Sequence, residues 1–377
     1  MILKRMLKEE WRTQSKMYRG RYLAALPVII FLLTYFGGQL VINFSTAPVT
    51  DLGLLVMAFG FFTGLAAGSI GFNSSDAAQN VLGDSNFLIF SSRTLPVSKT
   101  SLIAGFLIKD LVFYLGLYLL PVAAAMLLVS TQMLNPVIYM GLLFVGGLTL
   151  SLITASTAVH IPSRASILNY NNLPIPSLAR KSVLDVSRSS GGLFKILMSM
   201  FILLGLYWYI VNYIPLASYL LSSPLMSFAV VLGMMSVTVY NWLNTYDDLE
   251  NYQHLPINEA ELLRSKFQAF KLISAIIVIS FILVAYGLMG GNLILALAIA
   301  LTTAYYIGSI TMFESGLNPN ERMINGWTFS KFLVMVNILV IPLLALTSLN
   351  VETYVIIGLL VPMLVIGKVA EKIKLKS

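Results

Sequence analysis

The sequence predicts an all-α membrane protein, a polytopic bundle of about ten transmembrane helices with both termini in the cytoplasm. Three observations predict it. The first is composition: the 377 residues are 58% hydrophobic and 11% charged, with mean hydropathy +0.84, whereas soluble domains carry about 25% charged residues. The second is segmentation. Apolar stretches occupy 22–43, 52–73, 107–130, 136–159, 193–214, 225–244, 270–289, 292–313, 331–348 and 352–370. Each is close to the roughly 20 residues that a helix needs to cross hydrocarbon. The third is charge placement. All 24 Lys and Arg residues fall in the N-terminal segment, in the connectors after spans 2, 4, 6 and 8, in the C-terminal tail, or on span edges bordering them. The opposite connectors, near 44–51, 131–135, 215–224, 290–291 and 349–351, contain none. This asymmetry is the positive-inside rule, and it requires an even number of spans with both ends inside. The net charge of +8 therefore serves orientation, and nucleic acid is not an expected partner. The expected location is the plasma membrane.

Residues 1–20 lack the apolar core and small-residue cleavage site of a signal peptide. At 100° per residue, Leu3, Met6, Leu7, Trp11, Met17 and Tyr18 share one side, and Lys4, Arg5, Lys8, Arg12, Lys16 and Arg19 the other. A basic amphipathic helix of this kind lies flat on an anionic leaflet. The spans that follow hold few ionisable groups, and Lys109, Asp110, Lys195, Lys271, Glu314 and Lys331 all sit at cytoplasmic ends. An ion-coupled carrier usually needs a carboxylate or histidine near the midplane. There is no cysteine, and His160 and His254 are too far apart in sequence to suggest a metal centre. No HExxH, paired aspartates or Ser/His set offers a catalytic constellation, so the chain is not expected to be an enzyme. No GxxxxGK[ST] loop is present, so a phosphate cradle must come from elsewhere.

Glycines are dense in span 2 (Gly53, Gly60, Gly64, Gly68, Gly71) and span 4 (Gly141, Gly146, Gly147). The spacing of Gly60, Gly64 and Gly68 is GxxxG, which permits close helix packing in a bundle or a dimer, although glycine is common in membrane helices anyway. Pro27, Pro121, Pro342 and Pro362 fall inside spans.

The cytoplasmic connector 84–110 offers a short apolar patch, Phe87 to Phe90, then a turn at Leu95-Pro96-Val97-Ser98. Pro96 fixes its own φ and pushes Leu95 out of the α region, and Ser98 is a good N-cap for a helix reaching Lys109. The pattern recurs at Leu255-Pro256-Ile257-Asn258 in the connector 245–270, with Asn258 as N-cap. Leu102 and Leu262 each stand six residues past the proline, and a basic residue follows each, Lys109 or Lys266. Two copies in the same topological place signal an internal repeat. The chain then divides into an interfacial helix (1–20), a first repeat with spans 1–4 (21–190) and a second with spans 5–10 (191–377). The basic loop 160–192 holds Leu173-Pro174-Ile175 and then Ser177, a cap for a short helix from Leu178 to Ser187.

The basic amphipathic N-terminus, the loop reading SRTLPVSKTSLIAGFLIK and the spans without midplane charge together resemble the membrane subunit of an ABC-2-type transporter, best over residues 1–160. In that family the loop corresponding to Leu95–Lys109 forms a coupling helix that docks on a separate ATP-binding subunit. The resemblance therefore implies an exporter permease, with ATP and magnesium on the partner and no cofactor on this chain. Its docking residues would be Arg93, Leu95, Pro96, Val97, Ser98, Lys99 and Lys109 in one loop, and Leu255, Pro256, Ile257, Asn258, Arg264 and Lys266 in the other. The basic groups would meet an acidic partner surface or, by default, lipid phosphates. Common family members have six spans against ten here, so either two copies assemble around a pathway or one chain supplies both halves. The alternatives are a secondary carrier of a neutral substrate, lined by Asn212, Asn241, Asn337, Thr302, Thr303 and Ser309, and a membrane scaffold without transport activity.

Overall fold

The computed structural model describes residues 7–8, 11, 21–45, 48–82, 108–109, 111–160, 176–188, 192–214, 221–246, 257–319, 322, 326–349 and 351–376. The chain is an all-α, multi-pass helix bundle. Among the described residues nine helices are long and apolar enough to cross a membrane. Helix Gly192–Tyr213, with 22 residues, is not among those nine but occupies the stretch where the sequence predicts the fifth span. By contacts the helices form two units: Met1–His160 with Asn212–Leu216, and Ile161–Val211 with Ala217–Ser377.

The first unit contains α1 (Arg21–Phe44), α2 (Pro48–Leu82), α3 (Leu111–Val129) and α4 (Leu134–His160). Pro48 opens α2, where its missing N–H would have had no partner anyway. Asp51 in the same first turn is fully buried, favourably placed at the positive end of the helix dipole, and its Oδ2 accepts from the Ser45 hydroxyl. In α3, Pro121 cannot donate to the carbonyl of Leu117. The residues just before it, Leu115–Leu119, widen into a π turn, and regular helix resumes at Leu120–Val129. Ser130 is extended, and its hydroxyl accepts from Gln132 N at 3.3 Å to start a 3-10 turn (Thr131–Met133).

The contact that organises this unit is α2 against α4. A Cβ on Gly60 would stand 2.3 Å from the Met140 carbonyl oxygen, and one on Gly64 2.1 Å from that of Phe144. Gly147 repays the contact from α4, since its Cβ would meet the Phe61 carbonyl at 2.2 Å. The Gly60-Gly64 pair thus acts within the chain, as a backbone-to-backbone seam. Gly141 and Gly146 have nothing within 4 Å, so glycine density alone overstated the seam on α4. Leu52, Val56, Met133, Met140 and Phe144 fill the space around it.

The second unit contains α5 (Ser177–Arg188), α6 (Gly192–Tyr213, ending at the unit boundary), α7 (Pro224–Tyr246), α8 (Glu259–Met289), α9 (Leu293–Ser315), α10 (Gly326–Ser348) and α11 (Thr353–Lys376). The division after His160 places α5 with the second set of helices, because α5 packs on α7 and α8. Helix α9 is the centre, with α7, α8, α10 and α11 around it. It is capped by Asn292, whose Oδ1 accepts from Leu295 N at 3.1 Å, and it stops at Gly316, whose φ of +61° only glycine adopts freely. The break between α8 and α9 falls at Gly290-Gly291, both at positive φ, where the sequence predicts it.

Packing here is by side chains. A Cβ on Gly308 would sit 2.1 Å from the Phe270 ring, and one on Gly367 3.1 Å from the Tyr305 ring. Gly233 receives Thr303 and the Ala300 carbonyl. The hydroxyls buried along α9 mostly return to their own helix: Ser309 to the Tyr305 carbonyl at 2.8 Å and Thr311 to that of Ile307 at 2.7 Å. That removes the cost of burying an unpaired donor in hydrocarbon.

Candidate functional site

The candidate site is the cytoplasmic end of the second unit, by the orientation that the charge pattern requires. It begins at Asn258, two residues past the second Leu-Pro in the sequence. Asn258 has extended backbone, and its Oδ1 accepts from Ala260 N at 3.2 Å, while its carbonyl receives Glu261 N and Leu262 N at 3.0 Å each. Glu259 and Glu261 occupy the first turn, where carboxylates complement the helix dipole. The N-cap role expected of Asn258 is therefore what the backbone adopts. The connector 245–270 and the span from 270 are not separate elements from that cap onward. Helix α8 runs without interruption from Glu259 to Met289, beginning eleven residues before the hydropathic limit of 270. Hydropathy misses those turns because they are polar on one side only. Leu262, Leu263, Phe267 and Phe270 are buried, while Glu259, Glu261 and Arg264 are exposed. The result is one helix whose first three turns stand outside the apolar window.

Beside it lies α5, the helix expected over 178–187 and found at Ser177–Arg188. Its residues Ala179, Ser182, Val183 and Val186 follow i, i+3, i+4, i+7 spacing and are all buried. Lys181 and Asp185, one turn apart, pair at 2.9 Å on a half-exposed flank.

Three helices are tied together deeper in the same end. Lys271 of α8 donates to Glu371 Oε1 of α11 at 2.9 Å, and Tyr305 of α9 donates its phenol proton to Glu371 Oε2 at 2.6 Å. Each carboxylate oxygen thus serves a different helix. The Lys271 ammonium also stands 4.8 Å from the centroid of the Phe267 ring, close enough for a cation–π contact. The Tyr305 ring is 6.2 Å from that of Phe267 and rests on Gly367. Tyr240 closes the next layer by donating to the Gly316 carbonyl at 2.7 Å, with its ring edge-on to Phe270 at 5.7 Å. The arrangement contains no nucleophile–base pair. It ties α8, α9 and α11 to one another through a single carboxylate.

Of the docking residues expected from sequence, Arg93, Leu95, Pro96, Val97, Ser98, Lys99, Leu255 and Pro256 lie outside the described residues, as does the turn Leu173-Pro174-Ile175. Ile257 is half-buried against the core of the second unit, and Arg264 is exposed. Lys266 is only 1% exposed and Lys109 only 7%. Lys266 lies on the buried side of α8 with Leu262, Phe267 and Phe270, a face that charge counting along the sequence does not reveal. Among the residues expected to line a neutral-substrate site, Thr303 packs on Gly233, and Ser309 lies beside Gly367 and bonds its own helix. Both lie in helix–helix contacts.

Sequence reasoning missed Glu371 and Tyr305. Glu371 falls just past the apolar limit of 370 and reads as tail, yet α11 continues to Lys376. A signal was present. Met363, Gly367, Ala370 and Glu371 recur at helical spacing, and the first three are buried while Glu371 is partly so.

Compared with known proteins, the chain matches no family model, no curated protein and no solved structure.

Proposed function

We propose that the chain is the membrane-spanning permease subunit of an ATP-binding-cassette exporter of the plasma membrane, driven by a separate ATP-binding subunit that carries the ATP and magnesium. The observation that carries this reading is the continuity of α8. Its N-cap, Asn258, follows the second Leu-Pro in sequence, and its 31 residues run unbroken from there to Gly290. At 1.5 Å per residue the helix is about 46 Å long, enough to reach from the cytoplasm through the hydrocarbon. A push on the exposed Glu259, Glu261 and Arg264 would therefore move a membrane helix directly, without a flexible joint. The Lys271–Glu371–Tyr305 clasp would pass that movement to α11 and α9. Helix α5, seated on α7 and α8 by its buried face, widens the surface on which a soluble partner can press. Of the three polar α9 residues that a neutral-substrate carrier would use, Thr302, Thr303 and Ser309, the last two lie in helix–helix contacts, which counts against that alternative.

The test is to purify the tagged protein in mild detergent together with the products of neighbouring genes and to assay co-purified ATPase activity. A soluble ATPase is expected near equal stoichiometry. Replacing Leu255 and Pro256 with Ala is expected to lower its stimulation by the permease while insertion and helix content stay unchanged. Clean protein without an ATPase, or unchanged stimulation in the double variant, would remove the basis of the coupling mechanism.

A further inference from the structure

We infer that the first unit carries a lipid site, a cleft between the N-terminal segment and α3 that holds one acyl chain of an anionic glycerophospholipid. Leu7, Trp11, Val112, Phe113, Gly116 and Leu117 line a cavity of about 320 Å³, at the small end of the roughly 300–1,000 Å³ usual for ligand sites. Apart from the Trp11 indole nitrogen, these side chains bear no polar atom. Water would find too few partners to be held there, and so would a polar solute. A hydrocarbon chain meets no such cost.

The position selects the occupant. Helix α3 enters the membrane from the cytoplasm at Leu111, by the charge asymmetry of the connectors, so the cleft lies where headgroups give way to acyl chains. Trp11 is 46% exposed, with its ring 6.5 Å from that of Phe113 at 44°. An indole in that place suits the membrane interface. The π turn Leu115–Leu119 starts at the cleft, and its Gly116 is exposed, with nothing within 4 Å of where a Cβ would stand. The wall is open at that point. Lys8, next in the chain to the cleft-lining Leu7, is exposed. In the sequence around it Lys4, Arg5, Lys8, Arg12, Lys16 and Arg19 outnumber Glu9 and Glu10. An apolar slot with the exposed Lys8 next to its lining residue Leu7 fits an acyl chain whose headgroup is anionic. The site does not depend on the transport reading.

Native mass spectrometry of the purified protein, titrated with phosphatidylglycerol or phosphatidylcholine of identical chains, tests it. The wild-type protein is expected to retain phosphatidylglycerol in preference to phosphatidylcholine. A Cβ on Gly116 meets nothing within 4 Å and leucine is the better helix former, so Gly116→Leu should not lower the melting temperature while the phosphatidylglycerol adduct is lost. Lys8→Glu should keep lipid binding and lose the headgroup preference. As a second readout, with Trp208, Trp242 and Trp327 replaced by Phe, chain-brominated phosphatidylglycerol should quench Trp11 more strongly than chain-brominated phosphatidylcholine, and Gly116→Leu should abolish the excess. Equal retention of the two lipids by the wild type would mean bulk bilayer contact only. An undiminished adduct in Gly116→Leu would place the lipid elsewhere. Either result overturns the assignment.

Discussion

The two helical units are held by opposite means. In the first, α2 meets α4 through Gly60, Gly64 and Gly147, whose nearest neighbours across the seam are main-chain carbonyls, with the Met140 side chain beside Gly60. In the second, α9 is surrounded by rings, hydroxyls and a three-membered clasp of Lys271, Glu371 and Tyr305. Hydrophobic burial does not drive helices together in lipid, so each unit must rely on close contact or polar bonds. The glycine seam has no rotamers to change and therefore one geometry. The clasp is made of long side chains that can exchange partners. The difference leaves the first unit fewer side-chain contacts to rearrange than the second, the unit whose α8 runs unbroken from its Asn258 cap into the apolar stretch.

The largest expected effect comes from breaking the seam. Gly64→Val puts a Cβ where the Phe144 carbonyl oxygen now lies 2.1 Å away. The obstacle is backbone, so the helices must separate along their length. Thermal unfolding in detergent should show a loss of about 3 kcal/mol or more, at the upper end of overpacking costs. Gly141→Val is the control. Its site has nothing within 4 Å, and the expected change is within about 0.5 kcal/mol. Equal effects of the two substitutions would mean that the seam does not hold α2 to α4.

The second unit should respond differently to the same insult. A Cβ on Gly308 would meet the Phe270 ring at 2.1 Å, and that ring is fully buried. Gly308→Val alone should cost about 1–3 kcal/mol. Here the obstacle is a side chain, so Phe270→Leu in the same protein should recover part of the loss, and the two changes should be non-additive. No such rescue is expected for Gly64→Val with Phe144→Ala, because removing the Phe144 ring leaves its carbonyl in place. Rescue in both units, or in neither, would erase the contrast between backbone and side-chain packing.

The same contrast explains what could be read without coordinates. Span positions, the Gly60-Gly64 contact, the Gly290-Gly291 break and the Asn258 cap were all legible, because each is a local property: length, spacing or backbone preference. The Lys271–Glu371–Tyr305 clasp was not. Its members are 34 and 66 residues apart along the chain, and no periodicity links α8, α9 and α11. The burial of Lys266 was hidden for a related reason. A lysine at the polar start of a span reads as exposed until the facing helices are known. The limits of α8 and α11 were misjudged because hydropathy marks where hydrocarbon ends, and a helix ends only at its cap.

The smallest effects belong to the clasp and bear most directly on function. Glu371 is 20% exposed in its side chain and Lys271 38%, so the pair is screened and contributes about 0.2–1 kcal/mol to stability. Glu371→Gln should therefore unfold at nearly the wild-type temperature. Because the chain lacks cysteine, two introduced cysteines can carry spin labels without background. Ile279 on α8 and Ile366 on α11 are exposed and suited to this. In Glu371→Gln the distribution of distances between labels at those positions should broaden. In the charge-swapped Lys271→Glu/Glu371→Lys protein it should narrow again. Tyr305→Phe removes one hydrogen bond to Glu371 and should broaden it less. If the distribution is insensitive to all three, the clasp is ordinary packing, and movement of α8 must reach α11 through the body of α9 instead.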